Sequence, residues 1–114
     1  MPDFAPLAVQ PVETNITMCK GLFVKHAVFS KGSYIPQHSH DAEHLSVVAT
    51  GAVRVWQDGL LMGDYRAPAG IVIKARVKHL FLALEPDTAV LCVHRLDADG
   101  NLPSHEEHHV TELP

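Results

Sequence analysis

The segment His38-Ser39-His40-Asp41-Ala42-Glu43-His44 packs three histidines and two carboxylates into seven residues. Neutral imidazole is a good ligand for first-row transition ions. On an extended strand, side chains alternate faces with a period of two. His38, His40 and His44 share parity, so an extended run projects them to one side and places Asp41 and Glu43 on the other. The chemistry expected of such a face is a divalent metal held by imidazoles, with Glu43 outside the ligand set. The bland alternative is a loop of solvent-facing histidines.

The elements that must position these residues read as strands. The stretches 22–30, 44–50, 52–57, 71–75, 79–85 and 89–96 are short and rich in Val, Leu, Ile and Phe. Turn residues separate them: Lys31-Gly32, Thr50-Gly51, Asp58-Gly59, Pro68-Ala69-Gly70 and Pro86-Asp87. Asp58-Gly59 signals a type I′ hairpin, whose two central positions both need positive φ. Short strands at this spacing predict an all-β sandwich or barrel, and no long segment of helical period competes. Residues 1–20, punctuated by Pro2, Pro6 and Pro11, read as an extended N-terminal arm. Residues 21–96 form the barrel and 97–114 a polar tail. Ser104 with Glu107 fits a capping box, so a short helix from 105 to about 112 is expected in that tail.

Composition narrows the class. The chain has 114 residues, enough for one domain, and 46% hydrophobic residues argue against a disordered chain. Its net charge is −4 and no basic run is present, which argues against nucleic acid or an anionic membrane as partner. Cys19 and Cys92 make no disulfide framework and read as reduced thiols. With no signal peptide and no apolar run of membrane-spanning length, a cytoplasmic protein is expected.

Gly32, His38, His40, His44 and Gly51 together are similar to the first motif of the cupin superfamily, in which glutamate usually stands where this chain has His44. The chain thus resembles small single-domain cupins of the four-histidine type. The resemblance implies a cupin, jelly-roll-like β-barrel. It also implies a fourth ligand from a later strand, for which His79 is the candidate. Around His79 the second motif's proline, glycine and asparagine are replaced by Lys74, Arg76 and Ala83. The implied cofactor is a divalent transition metal held by His38, His40, His44 and His79. Imidazole does not choose among Fe, Mn, Ni, Zn, Co and Cu. Four neutral ligands leave the +2 charge uncompensated and an octahedral ion two exchangeable positions. The functions implied are a dioxygenase-like, isomerase-like or lyase-like enzyme acting on a small molecule. The alternative is a non-catalytic metal-dependent binding or sensor module. A homodimer is implied as well. Separately, Phe4, Leu7 and Val9 of the arm have no obvious place inside so small a barrel, so the arm is expected to cross to a second subunit and cover a sheet edge.

His105-Glu106-Glu107-His108-His109 matches His-Glu-x-x-His, but a protease cleft needs a larger domain, and the segment reads as a capped tail helix. Residues 97–101 read as a turn and not as a calcium loop. His26 and His94 lie in apolar strands and could face the pocket or be core histidines. Arg54, Trp56, Tyr34 and Tyr65 could line a barrel mouth. Lys74, Arg76 and Lys78 have parity opposite to His79, so a regular strand turns them away from the metal. The pocket wall would then be the apolar side of Phe81 and Ala83, with the ion as the main anchor for a ligand.

Overall fold

The computed structural model describes residues 13–34, 38–39, 42–101 and 107–108. Among the described residues there are ten strands: β1 (Glu13–Cys19), β2 (Leu22–Phe29), β3 (His38–Ser39), β4 (His44–Thr50), β5 (Ala52–Gln57), β6 (Leu60–Arg66), β7 (Ala69–Ile73), β8 (His79–Ala83), β9 (Thr88–Arg95) and β10 (Glu107–His108). They form two antiparallel five-stranded sheets, β1-β2-β9-β4-β7 and β10-β3-β8-β5-β6. β2 pairs with the distant β9 and β4 passes between β9 and β7, so the sheets are closed by long crossings and not by successive hairpins.

Alternation decides what lies between the sheets. Ala27 and Phe29 of β2, Val48 of β4, Ile71 and Ile73 of β7 and Val90 of β9 face inward from the first sheet. Val53, Val55, Phe81 and Ala83 meet them from the second. Val48, Val55 and Ile73 are wholly shielded from solvent, and each such side chain contributes about 1.5–3 kcal/mol by burial. A second cluster of Tyr34, Trp56 and Leu80 occupies the outer face of the β8–β5 pair.

The turns follow their residues. Asp58 and Gly59 both have positive φ, 49° and 79°, as the hairpin between β5 and β6 requires. Gly51 has φ +74°, and a side chain there would meet the backbone of Thr88, whose Cα lies 2.9 Å from the Cβ position. The β4–β5 turn therefore approaches the start of β9 as only glycine permits.

The described part of the arm is extended, and one expectation changes. Residues 13–19 of the arm form β1, paired along its whole length with β2. The short helix expected at 105–112 is not what forms in its described part. Glu107 and His108 are a strand, paired with Ser39 and His38 of β3. The edge of β3 offers unpaired backbone groups, and satisfying them outweighs a local capping preference. The rest of that segment, including His105 and His109, lies outside the described residues.

Candidate metal centre

Two of the four candidate ligands meet inside the barrel from opposite sheets. His44 opens β4 and is 5% exposed; His79 opens β8 and is 3% exposed. Their ring centroids are 5.4 Å apart with planes tilted by 53°. Two imidazoles bound to one ion at about 2.1 Å through nitrogen place their centroids roughly 4.5–5.5 Å apart, so this pair fits a shared ion. His79 Nδ1 lies 3.3 Å from the Val77 carbonyl oxygen. A carbonyl only accepts, so Nδ1 carries the proton and Nε2 presents the lone pair, the arrangement that orients ligating histidines. His38 is the Cα partner of His79 across the β3–β8 pair. His40 and the side chain of His38 lie outside the described residues, and among the described residues alone no three donors converge as a metal site.

Glu43, one residue before His44, is exposed, and its carboxylate accepts from Lys74 Nζ at 3.2 Å. Between the two positions the chain turns from solvent to barrel interior, and both charges of the ion pair stay outside.

His94, named only as one of two possibilities in the sequence, is the third buried imidazole of this site. It sits on β9 one residue beyond the Leu45–Val93 pair, beside His44. The two rings stack, with centroids 4.5 Å apart and planes at 22°. His94 therefore backs the ring of His44 from the neighbouring strand. Phe23 on β2 closes the other side, edge-on to His94 at 6.0 Å. His26 goes the other way. Its neighbour Ala27 is in the core, so His26 faces outward, between Asn15 and Leu91.

The remaining candidates divide by the same alternation. Arg54 faces outward and donates through Nε and Nη2 to Asp64, at 2.7 and 3.0 Å. That hydrogen bond holds the Asp64 carboxyl below the usual carboxylate range. Trp56 and Tyr34 belong to the outer cluster, whereas Tyr65 packs inward against the core. Gln57, which sequence reasoning passed over, is the β5 partner of His79.

The pocket wall also differs from expectation. Residues 74–78 are not a strand; Lys74, Arg76 and Lys78 are exposed on a loop in which Arg76 has φ +62°. Phe81 and Ala83 do form an apolar wall on the β8 side. Opposite them, the inner face of the first sheet carries Ser46 and Cys92, with Oγ and Sγ 3.6 Å apart. A cleft of about 470 Å³ touches His44 and His94, but its Leu45, Val72 and Val93 walls belong to the outer sheet face, so it is not the inner pocket.

No protein-family model matches the chain, and no curated protein is significantly similar to it in sequence. Solved structures are similar in fold. KdgF from a Halomonas species superposes with a TM-score of 0.67 at 24% identity, over 79% of this chain and 88% of that one. A cupin 2 domain-containing protein from Halorhodospira halophila gives 0.64 at 16% identity, over 77% and 72%. The fold is the cupin fold. Oxalate decarboxylase from Bacillus subtilis also carries this cupin unit, with a TM-score of 0.64 at 18% identity, but the match spans only 24% of its length. Among the described residues no helix is long and apolar enough to cross a membrane.

Proposed function

We propose that this cupin binds a divalent transition metal through His38, His40, His44 and His79 and acts on a small chelating molecule. The observation that carries the reading is the buried pair His44 and His79, brought from opposite sheets to 5.4 Å with a tilt that suits one ion. The register of His38 with His79 supports it, as does the cupin fold of structures such as oxalate decarboxylase. The bound ion would act as a Lewis acid toward ligands in its exchangeable positions. The chain's own part is to bury the imidazoles, fix the His79 tautomer through Val77 and hold His44 in place through His94. Dioxygenase-like and isomerase- or lyase-like chemistry both suit such a site.

The test is metal analysis of protein purified with and without oxygen, followed by assays of the Fe(II), Mn(II) and Ni(II) forms with small enols, thiols and hydroxy acids. Turnover that disappears in His79→Ala supports the enzyme. Tight ligand binding without turnover under every metal supports the sensor module instead.

A further inference from the structure

Lys25 is the one lysine or arginine among the described residues that a strand carries on its barrel-facing side. It lies between Phe23, which touches His94, and Ala27, which is in the core. It shares their parity and is half-buried. Its Cα partner on β9 is Cys92, which packs against the core, and the partner of Cys92 on β4 is Ser46, fully buried. Lys25, Cys92 and Ser46 thus form one row across the inner sheet face. The row beside it holds Phe23, His94 and His44. Arg54, Arg66 and Lys74 are exposed and each meets an acid, Asp64, Glu85 and Glu43 respectively. Lys25 has no ion-pair partner among the described residues.

We infer that Lys25 is the anchor for a carboxylate on the substrate, which makes the substrate a small anion with a metal-chelating end and a separate acidic end. This rests on the metal reading above. A lysine on the inner face, without an acid partner among the described residues and beside histidines proposed to hold a +2 ion, calls for an anion. Spacing sets the size of the ligand. His44 lies two strands across and one row along from Lys25, roughly 11–12 Å by strand geometry. The four-carbon stem of lysine covers about half of that. The remaining span suits a ligand with a few carbons between its two ends. Lys25 and His94 are diagonal neighbours, roughly 7–8 Å apart, so the ligand would pass over the His94 ring. The inner face of β2, β9 and β4 is thereby polar at Lys25, Cys92 and Ser46, within an interior that is otherwise apolar.

The experiment compares malate with lactate, which share the chelating hydroxy-acid end and differ in the distal carboxylate. Binding is read by water-proton relaxation of the Mn(II)-loaded protein. Wild type should prefer malate roughly tenfold or more, as expected for a hydrogen bond to a charged group. Lys25→Met should abolish that preference while leaving lactate affinity and Mn(II) content unchanged, and Lys25→Arg should keep most of it. An unchanged malate-to-lactate ratio in Lys25→Met, or no preference in wild type, would overturn the assignment. A protein that takes up no Mn(II) would overturn the metal reading instead. Lys25 is then read in metal-free protein by the ¹³C signal of its dimethylated amine, assigned by its loss in Lys25→Met. A shift with malate and not with lactate upholds the anchor; equal response to both acids overturns it.

Discussion

His94 lies flat against His44, with ring centroids 4.5 Å apart and planes 22° from parallel. The stack fixes the plane of a proposed ligand. Replacing His94 with Ala should weaken metal binding roughly tenfold, within the range found for groups that orient ligands, while the stoichiometry at saturating metal stays unchanged. His94→Phe keeps a flat ring in place and should retain most of the affinity. Chelator competition measures both. Equal losses in the two variants would show that the stacked ring is not what matters.

Gly51 and Gly32 should respond differently to alanine. Both have positive φ, +74° and +84°, but only at Gly51 would a Cβ meet another strand, at Thr88; at Gly32 it meets open space. Gly32→Ala should cost about 1 kcal/mol, the left-handed backbone alone. Gly51→Ala should cost about 2 kcal/mol or more, because Thr88 must also move. Urea midpoints at constant slope report the difference.

Arg54 and Asp64 lie on the outer sheet face and should leave the metal site untouched. Arg54→Ala should retain full metal content. The pair's contribution to stability is small because both groups are exposed. The Asp64 carboxyl titrates lower in the folded protein than when unfolded. Whatever the pair contributes is therefore present above the unfolded pKa of about 3.9 and lost as pH falls through the folded value. Wild type and Asp64→Asn should accordingly converge in stability at acidic pH.

Assembly can be tested on β1. Ile16 and Met18 are 59% and 57% exposed and flank the outer edge of the first sheet. Natural sheets rarely leave such an edge bare, and we propose that a second copy covers it. Light scattering should give a dimer at micromolar concentration, and Ile16→Asp with Met18→Asp should give a folded monomer. A wild-type protein that stays monomeric at high micromolar concentration would sink the proposal.

The all-β fold was legible because its core strands are written in Val, Ile, Leu and Phe between glycine and proline turns. β1 was less so: "ETNITMC" alternates small polar residues with a few apolar ones and pairs only because β2 is there. β10 was illegible, since two residues carry no period and the adjoining capping pattern favours a helix. At the site, parity separates His44 from Glu43, and the structure buries the first and pairs the second with Lys74. Lys25 and His26 show where the sequence runs out. They are adjacent polar residues in an apolar run, and alternation says only that they face opposite ways. Which faces inward depends on Ala27 and Phe29 meeting the second sheet, a tertiary fact.

Metal content of purified variants tests the central claim most directly. Wild-type protein loaded with a divalent transition metal and passed through a desalting column should retain about one ion per chain. His44→Ala and His79→Ala should each lose most of it, as a ligand set deprived of one buried imidazole requires. Glu43→Ala should retain it, because that carboxylate is turned to solvent toward Lys74. Equal loss from Glu43→Ala and His44→Ala, or full retention by His44→Ala, would contradict the account.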